Sequence, residues 1–268
     1  MTPCLLALDT ATDSLAAGLL TPAGVWCHHA AGGAEASSLL IPALLGLLGQ
    51  AGLPASALQA IAYGQGPGAF TGLRTACAVA QGLAFGLDVP VLAIDSLLIH
   101  AEDARLQATA ATAAPGATPA ADWWVVMDAR MQEVYAAHYH FDGRAWQVLL
   151  APQLWPLAAL AALWQASPPQ QVAGNACSTF AAQLPWGSAT CWPHCANRAV
   201  ALLRLAEAAW HSGATIPADQ ALPLYLRNKV AQTTAERLVD KQTKLTAAAV
   251  AAAAAADVAP VVVPGAAP

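Results

Sequence analysis

The segment Gly64-Gln65-Gly66-Pro67-Gly68-Ala69-Phe70-Thr71-Gly72-Leu73-Arg74 constrains the fold more than any other stretch of this chain. Four glycines and a proline separate a strand-like run, residues 58–63, from a helical pattern over 72–86. Glycine admits close backbone approach and φ > 0, so the loop has a defined shape. Two jobs suit it. It cradles a phosphate at the N-terminus of the next helix, whose free N–H groups favour an anion, with Thr71 or Gly72 as the N-cap. Otherwise it is a corner where backbone packs on backbone. It is not GxxxxGK[ST], because no lysine follows its last glycine. Asp88 stands near the spacing of a ribose-binding acid but lies past the helix, where it ends that helix. Arg74 is left two partners, an anion or an acid of a neighbouring element.

Upstream, apolar runs over 5–8, 15–20 and 25–28 are joined by Asp9-Thr10-Ala11-Thr12-Asp13-Ser14 and Thr21-Pro22-Ala23-Gly24, which predicts a three-stranded meander. Asp9, Thr10 and Thr12 either approach a metal-bound phosphate or satisfy their own turn. Ser37 or Ser38 is expected to cap a helix to about Gln50. Its Leu39, Leu40, Ile41, Leu44, Leu45, Leu47 and Leu48 cover more than one stripe. Such a helix must be buried on two sides. The 72–86 helix carries a small-residue ridge, Ala76, Ala80 and Ala84. A strand over 91–94 and a helix to about Leu106 follow. Residues 107–121 have no hydrophobic period and read as a linker. A second strand set begins at 123–127 and continues at 133–141. Asp142-Gly143 signals a hairpin returning over 146–150, then helices over 157–165 and 199–210 and a short strand over 171–174. Asp128, Arg130 and Glu133 either bind a polar ligand or form a local salt bridge. The expected organisation is α/β, with units 1–106 and 122–230, a linker 107–121 and a low-complexity tail 231–268 that is disordered or partly helical.

Composition narrows the function. Eleven Lys+Arg against sixteen Asp+Glu, a net charge of −5, leave no broad basic face for nucleic acid. Arg198, Arg204, Arg227, Lys229, Arg237, Lys241 and Lys244 leave room only for a local patch. Charged residues are 10% of the chain and hydrophobic ones 57%, so part of the surface is expected to be covered by a partner. No apolar run of about 20 residues spans a membrane and no leader pattern opens the chain, so the expected compartment is the cytoplasm. Cys4, Cys27 and Cys77 sit in apolar patterns. Cys177, Cys191 and Cys195 lie near His194 but lack paired CxxC spacing, and read as core or surface thiols rather than zinc ligands. The histidines form no HExxH or HxxxH, His138 and His140 alone do not complete a metal site, and no GxSxG elbow is present.

Leu6-Ala7-Leu8-Asp9-Thr10-Ala11-Thr12 and Gly66-Pro67-Gly68-Ala69-Phe70-Thr71-Gly72-Leu73-Arg74 resemble the bacterial TsaB (YeaZ) family. So do Gln81-Gly82-Leu83-Ala84, Asp128-Ala129-Arg130 with Glu133-Val134-Tyr135, and Pro223-Leu224-Tyr225-Leu226-Arg227, in the family's order over about residues 4–230. The resemblance implies an ASKHA (actin/Hsp70-like) fold of two related lobes, each a mixed sheet with helices. It implies a non-catalytic role in making N6-threonylcarbamoyladenosine at tRNA position 37. The implied partners are a TsaD-type transferase, a TsaE-type ATPase or a second copy, with tRNA met only through the complex. The catalytic relative carries HxxxH, where this chain reads Glu35-Ala36-Ser37-Ser38-Leu39-Leu40. That departure tilts the glycine loop toward the corner reading.

The resemblance also implies a four-helix dimer interface, expected here at Leu40, Leu44, Leu47, Leu48, Leu73, Ala76, Ala80 and Leu83. Leu44→Asp or Ala80→Arg would then separate subunits without unfolding the lobe. A nucleotide or anion, ATP or ADP at a partner interface, would meet Asp9, Thr10, Thr12, Gly66, Gly68, Thr71, Arg74, Asp128 and Arg130. The alternatives are an ASKHA small-molecule kinase using Asp9 or Asp128, and a metallopeptidase.

Overall fold

The computed structural model describes residues 1–111 and 120–227. The expected tail 231–268, most of the 107–121 linker, and Lys229, Arg237, Lys241 and Lys244 lie outside the described residues. Met1–Leu226 forms one compact unit. Two five-stranded sheets organise it, built to one plan. In the first, β1 (Leu5–Asp9), β2 (Ser14–Thr21) and β3 (Gly24–Ala31) form the antiparallel meander, and α1 (Ala36–Ala51) leads to β4 (Ala60–Gly66). Then come α2 (Phe70–Leu87), β5 (Val91–Asp95) and α3 (Ser96–Ala111), with β4 parallel to β1 and β5 parallel to β4.

The second lobe repeats this order with β6 (Ala121–Asp128), β7 (Glu133–Phe141), β8 (Trp146–Pro156), α4 (Leu157–Ala166), β9 (Gln171–Ala173), α5 (Ala176–Thr179), β10 (Thr190–Trp192) and α6 (Arg198–His211). Its strand order β8-β7-β6-β9-β10 matches β3-β2-β1-β4-β5, with the same parallel and antiparallel pairings. This is the two-lobed α/β architecture of the ASKHA fold.

Strand periodicity sends alternate residues of β1 to opposite faces. Leu6 and Leu8 meet α1 and α2, while Leu5 and Ala7 meet α6 through Leu202, Leu203 and Ala206. The two lobes thus exchange their last helices. α6, made by the second half, covers the first sheet; α3, made by the first half, packs Leu97, Ala101 and Ala104 on Trp123 and Val125 of the second. The second sheet's other face buries Trp124 and Val126 under α4.

Several boundaries differ from the sequence expectation. α1 starts at Ala36 with no side-chain cap, and the Ser38 hydroxyl donates to the Glu35 carbonyl instead. α2 starts at Phe70, so Thr71 and Gly72 lie inside its first turn and neither caps it. Asp88, with φ 55°, does close α2. α3 runs past Leu106 to Ala111, and β8 runs past Leu150 to Pro156.

The largest correction concerns the expected interface residues. Leu40, Leu44, Leu47 and Leu48 of α1, and Leu73, Ala76 and Ala80 of α2, are buried in the chain's own core, with Leu83 half-buried against it. Their spacing is the stripe that faces the sheet. Apart from Leu83 these side chains have almost no surface left for a second subunit, and Leu44→Asp or Ala80→Arg would strike the core. The flank of α1 that faces outward carries Leu39, Ile41 and Leu45, 38%, 47% and 58% exposed; Phe85, near the end of α2, is 81% exposed.

Candidate functional site: the glycine corner and its buried arginine

Asp9 ends β1 with its side chain fully buried. Its Oδ1 accepts from the Ala11 N–H at 2.7 Å, and its Oδ2 accepts from the Ser96 hydroxyl at 3.0 Å. The Ser96 hydroxyl in turn accepts from the Gly66 N–H at 3.0 Å, tying the end of β1 to the end of β4. Arg198, the first residue of α6 and 3% exposed, places Nη2 3.0 Å from Asp9 Oδ1 and donates from Nη1 to the Thr12 hydroxyl. A buried carboxylate is costly without a countercharge; here the countercharge comes from residue 198, across the lobes.

The start of α6 is itself fixed. The Asn197 side chain accepts from the Val200 N–H. Asp103 accepts from the Ala196 and Asn197 N–H groups at 2.8 and 2.7 Å, and from Gln107 Nε2 at 2.6 Å. His29 Nε2 accepts from the Ala199 N–H at 3.2 Å, and burial holds the pKa of that imidazole below its ordinary value. Burial and then Arg198 push His100 down to about 3, so it is neutral; burial and then Asp103 push the Cys195 thiol up.

The glycines line this corner from the other side. A Cβ on Gly64 would collide with the Asp9 carboxylate, one on Gly68 with the Ala11 carbonyl, and one on Gly72 with the Thr10 carbonyl. The Thr10 hydroxyl donates to the Gly72 carbonyl at 2.7 Å, and the Ala69 N–H to the Ala11 carbonyl at 2.8 Å. Gly66, at φ 113°, would drive a Cβ to 2.9 Å from the Leu224 carbonyl.

Leu224 belongs to the Pro-Leu-Tyr-Leu-Arg segment, which docks along β4. Its N–H donates to the Gln65 carbonyl at 2.7 Å. The Leu222 N–H donates to the Tyr63 hydroxyl at 3.0 Å, and burial pushes that phenol up to about 12. Tyr225 stacks on Phe70 at 5.0 Å between ring centroids and accepts from Arg74 Nε at 3.1 Å. The Arg74 guanidinium also lies 5.8 and 5.9 Å from the Tyr225 and Phe70 ring centroids. The chain's own backbone closes on these glycines, Leu224 on Gly66, Ala11 on Gly68 and Thr10 on Gly72, as in a packing corner.

The structure therefore gathers Asp9, Thr10, Thr12, Gly66 and Gly68 and encloses them with Arg198. Thr71 and Arg74 sit exposed on the first turn of α2. Asp128 and Arg130 lie at the β6–β7 turn, the second lobe's counterpart of the β1–β2 turn. Asp128 Oδ1 accepts from the Arg130 N–H at 2.7 Å, its Oδ2 lies 3.3 Å from Arg130 Nη1, and its own N–H donates to Asn175 Oδ1 at 2.8 Å. Arg130, Met131 and Gln132 turn there with φ of 66°, 57° and 58°. Ser96, Asp103 and Arg198 were not among the expected site residues. Arg198 reads in sequence as one of several C-terminal cations, and nothing local marks an arginine that folding will bury.

Along the lobe boundary, a cleft of about 940 Å³ is lined by Asp95, Glu102, Arg105, Trp146, Arg204 and Glu207, among others. Asp95 Oδ1 caps α3 through the Leu97 N–H at 2.8 Å, and its Oδ2 accepts from the Tyr139 hydroxyl at 2.5 Å. Burial, partly offset by these bonds, raises this carboxyl to about 6. Among the described residues no group of three or more His, Cys, Asp or Glu side chains is arranged to hold a metal ion, and no helix is long and apolar enough to cross a membrane.

A family model described as TsaD, tRNA N6-adenosine threonylcarbamoyltransferase, matches residues 28–267. The tRNA threonylcarbamoyladenosine biosynthesis protein TsaB of Escherichia coli is 29% identical over 247 residues, covering 85% of this chain and 96% of that protein. The TsaB of Haemophilus influenzae is 31% identical over 238 residues, covering 84% and 94%. The solved structure of YeaZ from Pseudomonas aeruginosa superposes with a TM-score of 0.72 at 34% identity, covering 84% of this chain and all of that one.

Proposed function

We infer the function from one premise: the chain belongs to the TsaB (YeaZ) family of tRNA threonylcarbamoyladenosine biosynthesis proteins. It acts in forming N6-threonylcarbamoyladenosine in tRNA, and its part is that of a non-catalytic subunit. It docks a TsaD-type transferase, with a TsaE-type ATPase joining the pair, and meets tRNA only through that complex, in the cytoplasm. In the absence of a heterologous partner the same face pairs two copies.

The observation that carries this reading is the apolar flank of α1, with Leu39, Ile41 and Leu45 turned to solvent on a helix whose other stripe is already buried. Gly46, Gly49, Gly82 and Gly86 on α1 and α2 have nothing within 4 Å of a built Cβ, so a partner helix could approach closely there. The family model is described by a transferase activity, but α1 here begins Ala36-Ser37-Ser38-Leu39-Leu40 and offers no histidine.

A kinase needs a carboxylate free to meet a metal-bound phosphate, and the geometry does not favour one. Asp9 is enclosed and ion-paired, and Asp128 is engaged by Arg130 within its own turn. For ATP or ADP at a partner interface, the group that supports a contact is Arg74, exposed on the first turn of α2. The test is copurification of the tagged chain with a TsaD-type protein, followed by sedimentation velocity of the mixture. A stable heterodimer is expected; two species sedimenting independently at micromolar concentration would overturn the docking role.

A further inference from the structure

We propose that Cys177 and Cys191 are a redox modification site, joined into an intramolecular disulfide by peroxide and released by thiol reductants. The pair lies on the second sheet, apart from both the glycine corner and the apolar flank of α1. β10 runs parallel to β9 with Cys191 opposite Val172, and neighbouring strands stand about 4.8 Å apart. After β9 the chain turns at Gly174, φ 114°, and the Cys177 N–H donates to the Gly174 carbonyl at 3.2 Å. That turn lays Cys177 Sγ 3.7 Å from the Val172 carbonyl, over the same residue that Cys191 faces. Facing residues of neighbouring strands point to the same side of a sheet, so Cys191 lies on the side of Val172 where Cys177 also sits, near enough for the two thiols to interact electrostatically.

The remaining cysteines are placed differently. Cys4 and Cys77 are buried in the first lobe, and Cys27 is exposed on β3 of the first sheet. Cys195 lies near Asp103, just ahead of α6.

The two sulfurs differ in access, which sets the order of events. Cys191 is exposed and Cys177 half-buried. Burial, and then the neighbouring Cys191, push the Cys177 thiol up to about 12, so it does not compete with Cys191 for the oxidant and gives up its proton only as it attacks. Cys191 meets the oxidant first: Cys191–SH and hydrogen peroxide give the sulfenic acid Cys191–SOH and water. The Cys177 sulfur then attacks the Cys191 sulfur, the S–O bond breaks, and a second water leaves with the thiol proton. Two thiols have lost two electrons and one peroxide has gained them. A small thiol reverses the step by exchange through a mixed disulfide. The bond would staple the three-residue edge strand β10 to α5, on the segment that leads directly to Arg198.

The test treats the folded full chain with about one equivalent of hydrogen peroxide, followed by alkylation and peptide mapping. Two of the six thiols should be lost, with one linked peptide pair carrying Cys177 and Cys191 that dithiothreitol separates. Cys195→Ser should still form it; Cys191→Ser, at an exposed position, should not. The proposal is overturned if the wild type gives no 177–191 link, if Cys191 instead runs on to sulfinic acid, or if the main product is a disulfide between chains.

Discussion

Leu44 and Leu45 are neighbours on α1, about 100° apart around the helix, one buried and one exposed, and aspartate at each position tests the assignment of the two faces. Leu44 is 2% exposed and packs in the first lobe's core, whereas Leu45 is 58% exposed. Leu44→Asp forfeits about 2–3 kcal/mol of apolar burial and sets an unpaired carboxylate in that core, which costs several kcal/mol more or forces its protonation. The sum approaches the whole stability of a typical domain, about 5–15 kcal/mol. Leu45→Asp in the isolated protomer loses only helix propensity, about 0.5 kcal/mol. In the associated state, covering the exposed part of Leu45 contributes about 1–2 kcal/mol. At about 1.4 kcal/mol per factor of ten in affinity, removing it weakens association by about tenfold before the buried charge is counted. Urea unfolding and sedimentation velocity on the same samples separate the two effects. Leu44→Asp should be unfolded or nearly so; Leu45→Asp should unfold like the wild type and sediment as a protomer. A well-folded Leu44→Asp, or a Leu45→Asp whose association is unchanged, would refute the assignment.

Three further outcomes follow from the glycine corner and the lobe boundary. Arg198→Met leaves Asp9 buried without its countercharge and should lower the unfolding free energy by about 3–5 kcal/mol; a loss under 1 kcal/mol in urea titration would mean the pair contributes little. Gly72→Ala drives a methyl into the Thr10 carbonyl and should cost well over 1 kcal/mol, where an ordinary mid-helix Gly→Ala gains about 0.5–1 kcal/mol; a stabilised variant would show the corner to be loose. Asp95 has a carboxyl raised to about 6 from 3.8, so its share of stability is full below about pH 4 and falls by about 3 kcal/mol as pH rises through 6. His100, lowered to about 3, works in the opposite direction, losing stability as pH falls below 6.5. The Asp95 part is therefore read as the wild type minus Asp95→Asn in urea unfolding at pH 4.5 and 7, and equal pH slopes for the two proteins would refute it.

Sequence periodicity located β7 to the residue and most of the strands and long helices closely, because apolar alternation and helical stripes are local signals. It missed β10 and α5, which are three and four residues long and are defined by their partners rather than by their own pattern. The glycine loop announced a close approach but not what approaches. The answers are the Thr10–Ala11 backbone, about 60 residues away, and Leu224, about 160 residues away, which no local reading connects. The excess of leucine on α1 led to the expectation of two buried sides; within the chain one stripe is buried and the flank of Leu39, Ile41 and Leu45 is exposed. Which leucines face the sheet depends on the helix's rotation about its axis, and that is set by packing against β2 and β3. The expected interface set therefore fell on the inward stripe. Arg198 illustrates the same limit: its burial is a consequence of α6 crossing to the first sheet.

We propose that this chain supports tRNA threonylcarbamoyladenosine formation by docking a partner through the outward flank of α1. The direct measurement is the N6-threonylcarbamoyladenosine content of total tRNA, by nucleoside mass spectrometry, in cells depleted of the chain and complemented with wild type or Leu45→Asp. Depletion should remove the modified nucleoside, the wild type should restore it, and Leu45→Asp, present at equal level, should not. Undiminished modification after depletion, or full restoration by Leu45→Asp, would contradict the claim.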